Sequence, residues 1–161
     1  MIKIRHKKIF YYFFQVVFLV LALVFLIYRP YFITKIVGES MVPSFNEGQL
    51  VVASSLDRNY NVKDVVLFKR DEEILIKRIA YLPGHKIICA DLGMRQFCPI
   101  PPMKNVKAQL KYLNSQGINA YIYEIPKGHV FVIGDNEGLS EDSRNFGAIP
   151  ISQIFAKIIE I

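Results

Sequence analysis

A mainly β domain of antiparallel strands, held behind one membrane-spanning helix, is the architecture this sequence predicts. Three observations carry that prediction: an apolar run near the N-terminus, a succession of short β-branched and aromatic stretches after it, and turn residues that separate those stretches at hairpin spacing. A chain of 161 residues suits one such domain plus its anchor.

Residues 10–28 form the apolar run, whose one clearly polar member is Gln15, and Arg29-Pro30 closes it. These 19 residues are about what a helix needs to cross a hydrocarbon core. A cleavable leader has a shorter apolar core followed by small residues, and Tyr28-Arg29-Pro30-Tyr31 offers none. The competing reading is a helix buried in a soluble core. Lys3, Arg5, Lys7 and Lys8 precede the run, while Arg29 and Lys35 closely follow it. The positive-inside rule therefore makes residues 1–9 a cytoplasmic basic tail, residues 10–28 a single-pass helix, and residues 30–161 a domain outside the inner membrane.

The net charge of +6 has the same origin, because the first 35 residues hold six Lys or Arg and no acidic residue. Subtracting those six from the 20 basic residues leaves 14 against 14 acidic ones, so the outer domain is formally neutral. A nucleic-acid surface is unsupported, and the basic cluster is a topology signal that also favours anionic lipid. His6, His85 and His129 are scattered without local Cys or acidic partners, so no metal site and no cofactor is expected. Cys89 and Cys98 are not spaced as a close metal motif. In an oxidising outer compartment such a pair is read as a disulfide, with two free thiols as the alternative.

In chain order, residues 31–37 are β-branched and aromatic and leave the membrane as a strand. Asn46-Glu47-Gly48 is a turn, residues 49–53 a short strand, residues 57–61 a loop and residues 64–68 another strand. Asp71-Glu72-Glu73 makes a charged hairpin tip before a strand over residues 74–79, and Leu82-Pro83-Gly84-His85 turns the chain again. Between residues 89 and 117 the pattern loosens around Pro99, Pro101 and Pro102, with a short helix in residues 106–113. Strands return at residues 120–125 and 129–133, and a last strand over residues 153–161 closes the domain.

Two residues stand out chemically. Ser40 lies on the turn Gly38-Glu39-Ser40-Met41-Val42-Pro43, and Lys77 lies within Ile74-Leu75-Ile76-Lys77-Arg78-Ile79. Strand alternation puts Lys77 on one face with Leu75 and Ile79, and Arg78 on the other with Ile74 and Ile76. A serine hydroxyl needs a neighbouring base to become a nucleophile, and a lysine becomes that base only where apolar surroundings lower its pKa. Taken alone, Lys77 also reads as a surface lysine and Ser40 as an ordinary turn serine.

Read together, Ser-Met-x-Pro at 40–43, Lys77-Arg78 on an apolar strand and Leu82-Pro83-Gly84 resemble the type I signal peptidases. A third block is similar to that family's Gly-Asp-Asn … Ser-x-Asp-Ser-Arg-x-aromatic-Gly box. It runs from Gly134-Asp135-Asn136 through Ser140, Asp142, Ser143 and Arg144 to Phe146-Gly147. The resemblance implies an antiparallel, β-barrel-like catalytic domain that cleaves membrane-inserted preproteins at the outer face of the bilayer. It makes Ser40 the nucleophile and Lys77 the general base, with the Ser40 backbone N–H as oxyanion donor. Some relatives add a serine hydroxyl two positions before the nucleophile; Gly38 stands there in this chain, so the hole rests on main-chain donors. Ser140 corresponds to the serine that orients the lysine, and Asp142 and Arg144 to the pair that holds the box. Ile36, Met41 and Ile76 are the expected substrate-contacting residues, forming shallow pockets for small side chains. Residues 89–117 fall in the family's variable insertion, where a Val-Asn-Gly hairpin that relatives often carry is missing.

Three other readings compete. A conjugal-transfer relative would use the same chemistry to mature a pilin or another transfer component. A membrane-tethered binding domain would keep the fold without the chemistry, against intact Ser40, Lys77, Ser140 and Asp142. A self-cleaving repressor also pairs Ser-Met with a strand lysine, but it is soluble and usually carries a DNA-binding module.

Overall fold

The computed structural model describes residues 3–28, 30–93, 95–100 and 105–159. It opens with helix α1 (Lys3–Tyr28), whose apolar part Ile9–Ile27 has a mean hydropathy of 2.6 and is not buried by the rest of the chain. Phe18 and Phe25 stay 75% and 67% exposed. A core helix of a soluble domain would be covered, so α1 is not one. Lipid is the solvent that suits a helix apolar on all sides.

Ten strands follow. They are β1 (Tyr31–Lys35), β2 (Leu50–Ser54), β3 (Val65–Arg70), β4 (Glu73–Tyr81), β5 (Lys86–Asp91), β6 (Cys98–Ile100), β7 (Asn119–Glu124), β8 (His129–Ile133), β9 (Ile149–Pro150) and β10 (Ile154–Ile159). Helix α2 (Val106–Ser115) precedes β7, and the single turn α3 (Ser143–Phe146) precedes β9. Seven strands pair in the order β1-β2-β10-β3-β4-β8-β9 and three in the order β6-β5-β7, with every described pairing antiparallel. The fold class expected from the sequence is therefore present. The barrel is not closed: among the described residues β1 and β9 are edges of an open sheet, which bends at bulges between Ile154 and Ala156 and between Ile79 and Tyr81.

β3 explains why this sheet is stable. Val65 and Leu67 point into a cluster with Ile36, Met41, Phe45 and Ile76, while Val66 and Phe68 point the other way into a cluster with Ile79, Val130, Val132 and Ile154. A strand covered on both sides needs apolar residues at successive positions, and Val-Val-Leu-Phe supplies them. The hairpin from β3 to β4 turns on Asp71 and Glu72, with Asp71 at a left-handed φ of 53°, and pairs Arg70 with Glu73 through to Val65 with Arg78.

The small sheet corrects two expectations. The stretch read as loosened holds the end of β5, which runs straight through position 89, and the whole of β6, beside the short helix expected there, α2. α2 starts where its signal lies, with the Asn105 side chain accepting from the Ala108 amide at 3.0 Å. The disulfide is also not formed: Cys89 and Cys98 are free thiols. Cys98 pairs with Ala90, so it shares the face of Ala90 and lies opposite to Cys89. Cys89 is fully buried beside Ile87, Ile125 and Phe131, and that burial pushes its thiol up to about 12. It behaves as a small apolar core residue.

Candidate active site

The strand β1 delivers the chain to the serine turn. Its pairing continues past Lys35, with the Ile36 amide donating to Gln49 O and the Gly48 amide to Ile36 O, both at 2.9 Å. Gly38 then turns the backbone at φ 82°, a left-handed conformation that a side chain disfavours. The turn closes through the Val42 amide on Glu39 O at 3.2 Å and the Phe45 amide on Met41 O at 2.9 Å, around a cis Val42–Pro43 bond. Met41 is fully buried in the cluster below, and this corrects its expected place against substrate. It anchors the turn and has no surface left to offer. Ile36 and Ile76, 3% and 7% exposed, lie in the same cluster.

β4 brings Lys77 to Ser40. The amine donates to Ser40 Oγ at 2.8 Å across 37 positions of sequence, and Lys77 is only 3% exposed. Its cross-strand partner is Val66, and Leu75 and Ile79 share its face as the alternation required. Burial pulls the amine below the ordinary lysine range, against the opposing fields of Asp142 and Glu141. Desolvation of an amine next to a hydroxyl favours its neutral form, the one able to take up a proton.

The loop after β8 encloses this pair. Asp142 is fully buried and accepts from Ser140 Oγ at 2.6 Å, the Gly134 amide at 2.9 Å and the Arg144 amide at 3.1 Å. It also takes Arg144 Nε at 2.9 Å and Nη2 at 2.8 Å. Burial opposes its charge, and the bonds from Arg144, Ser140 and the two amides overcome that, holding the carboxyl below its usual range. Ser143 Oγ accepts from the Val132 amide at 3.0 Å, which fastens the loop to β8. Ser140 is thus present at the site, with its hydroxyl proton given to Asp142.

Three contacts escaped the reading of the sequence, although the residues were quoted in the motif. Arg78, on the other face of β4, grips Asp135 with Nε at 2.9 Å and Nη2 at 2.7 Å, the planar fork that only arginine provides. Asn136 donates its backbone N–H to Ser40 O at 2.9 Å and its side-chain amide to Glu39 O at 3.1 Å. Gly134 is squeezed between the serines: a Cβ there would lie 2.6 Å from Ser40 O and 2.6 Å from Ser140 Cβ. Both neighbours are fixed, so Gly134→Ala should push the Ser40 turn and the Ser140 loop apart. We expect cleavage to fall about 10²-fold, as for a misplacement near 1 Å. Stability should fall by about 1–3 kcal/mol from overpacking. Steady-state kinetics beside a thermal melt would check this, and wild-type turnover in the variant would remove Gly134 from the site.

A family model described as "Signal peptidase, peptidase S26" matches residues 7–161. The chain belongs to the signal peptidase S26 family. It is 32% identical over 131 residues to "Signal peptidase I V" of Bacillus subtilis (strain 168), an alignment covering 71% of this chain and 76% of that protein. To "Signal peptidase I" of Bacillus caldolyticus it is 30% identical, covering 75% and 73% of the two chains. "Mitochondrial inner membrane protease subunit 1" of Schizosaccharomyces pombe is 32% identical, with 76% and 67% covered. The protein is accordingly a membrane-anchored serine peptidase of the signal peptidase I type. The family resemblance read from Ser40, Lys77 and the 134–147 box spans nearly the whole chain.

Proposed function

We propose that this signal peptidase removes signal sequences from exported preproteins at the outer face of the inner membrane, with Ser40 as nucleophile and Lys77 as general base. The observation that carries the reading is the 2.8 Å bond between a buried lysine amine and a serine hydroxyl. Neutral Lys77 takes the Ser40 proton as Oγ attacks the scissile carbonyl, and the resulting oxyanion meets the Ser40 backbone N–H. Lys77 then gives the proton to the leaving amine. A water activated by the same amine releases the acyl group from Ser40. Ser140, whose hydroxyl donates to Asp142, is the residue that the family resemblance assigns to steering the Lys77 amine. The Asp142–Arg144 pair keeps Ser140 in place.

The four basic residues ahead of the apolar part of α1, Lys3, Arg5, Lys7 and Lys8, support a cytoplasmic N-terminus. Tyr31, Phe32, Ile33, Val37 and Leu50 leave apolar side chains exposed on β1, its continuation and β2, the elements next to the anchor. An apolar surface beside a membrane helix supports an active site seated at the bilayer face, which meets substrates carrying their own apolar segment. On the family resemblance Ile36 and Ile76, which keep 3% and 7% of their surface where Met41 keeps none, form the floor under small residues at the cleavage position.

Full-length protein in lipid vesicles should cleave a membrane-inserted precursor at least about tenfold faster than the same cleavage sequence on a soluble peptide, because co-insertion raises the effective concentration. Ile76→Ala should let a larger residue than Ala be accepted. Equal rates on both substrates, with indifference to residue size, would refute the membrane-surface reading.

A further inference from the structure

The Glu39–Ser40 peptide is held by its own turn and, from the loop after β8, by Asn136. Its carbonyl accepts from Asn136 Nδ2 at 3.1 Å and from the Val42 amide at 3.2 Å, and the next carbonyl, that of Ser40, accepts from the Asn136 backbone N–H at 2.9 Å. In a trans peptide the C=O and the N–H point in opposite directions. Fixing Glu39 O therefore fixes the direction of the Ser40 N–H, and among the described residues no protein acceptor takes that N–H. Asn136 is also rigidly placed, because it follows Asp135, locked by Arg78, and Gly134, bonded to Asp142.

We infer that Asn136 is a positioning residue for the oxyanion hole, its side-chain amide orienting the Glu39–Ser40 peptide so that the Ser40 N–H meets the charge that develops on the substrate carbonyl. The inference rests on the reading of Ser40 as nucleophile. It gives the asparagine of the Gly-Asp-Asn sequence a purpose that touches no substrate atom. Gly38 contributes no hydroxyl to the hole, so the single main-chain donor has to be aimed well, and an oxyanion donor acts only when it is aimed before the charge appears.

The test uses full-length protein in lipid with Asn136→Ala and the isosteric Asn136→Asp, which replaces the amide donor by an acceptor. Two ligands are compared: a substrate peptide ending in an aldehyde, which adds Ser40 Oγ to become a tetrahedral oxyanion mimic, and the same peptide ending in an amide, which does not react. Removing an oxyanion donor outright costs about 10²- to 10³-fold, so loss of its support should cost about ten- to a hundredfold in kcat. KM should change little. Aldehyde affinity should fall by the factor lost in kcat while amide affinity holds, and the amide titration also reports how much variant is folded. Unchanged kcat, or equal weakening of both ligands, would overturn the inference. Failure of the reading beneath it looks different: Ser40→Ala would still cleave.

Discussion

Ser40→Ala and Lys77→Ala should each reduce kcat/KM on a membrane-inserted precursor by about four orders of magnitude or more, and the double variant should lose little beyond either one. Groups that act as a unit fail together, and the 2.8 Å bond makes these two a unit. Lys77→Arg keeps the positive charge yet should fail equally, because a guanidinium does not give up its proton at any pH where the protein is folded. Turnover in Lys77→Arg would remove Lys77 from the role of base. The pH dependence has a fixed sign. With Lys77 as the proposed base the working form is the neutral amine, so kcat/KM should rise with pH through the pKa of Lys77. Burial draws that pKa down, so the rise should fall below the ordinary lysine range. The same shift bears on stability. Below the folded pKa the buried ammonium is a full cost, and the cost is relieved as pH climbs from the depressed folded value to the unfolded value near 10.5.

Asp142→Ala should be the most destabilising single change in the domain, by about 3–5 kcal/mol, because it leaves the Arg144 guanidinium buried without its partner. Arg144 is 7% exposed at its side chain and Asp142 fully buried, so water does not reach in to compensate. The substitution also frees the Ser140 hydroxyl and the Gly134 amide, and cleavage should fall with it. Chemical denaturation of the full-length protein in detergent measures the first effect. A loss below about 1 kcal/mol would mean that the pair is solvated as surface ion pairs are. Asp142 also sets an acid limit. With a folded pKa held below 3.8, its stabilisation is complete above the unfolded value and disappears as pH drops through the folded one.

Ser40 and Lys77 stood out in the sequence through the family resemblance that joins them to the 134–147 box, because alone each also reads as an ordinary turn serine or a surface lysine. Lys77 among aliphatics at alternating positions is a strand feature that needs no tertiary knowledge, and Ser40 on a Gly-containing turn marks a backbone held in the open. Met41 was misplaced because neighbourhood in sequence was taken for neighbourhood in the cleft, whereas a turn sends successive side chains in different directions. The cysteine pair failed for a related reason: redox chemistry favours a bond, but the β5–β6 register puts the two thiols on opposite faces. β5 and β6 were missed because β6 is three residues long and contains Pro99, and the two strands are defined by a pairing that joins residues 8 to 12 positions apart. Gly134 and Asn136 carry no reactive group. Their importance appears only once the loop after β8 is laid against the serine turn, 94 and 96 positions apart from Ser40 in the chain.

The alternation along β4 has an evolutionary consequence. Lys77 and Arg78 are adjacent codons facing opposite sides of one sheet: the first meets Ser40, and the second clasps Asp135 in the loop that closes over Ser40. A one-codon insertion or deletion between the Asp71–Glu72 tip and Lys77 would invert those faces, sending a guanidinium that never deprotonates toward the nucleophile and a flexible ammonium to a site shaped for a planar fork. The stretch between β5 and β7 carries neither Lys77 nor Arg78, so a change of length there would leave both faces of β4 as they are. The reading frame of β4 is closed to such drift, and any enzyme that keeps this chemistry inherits its hairpin at fixed length.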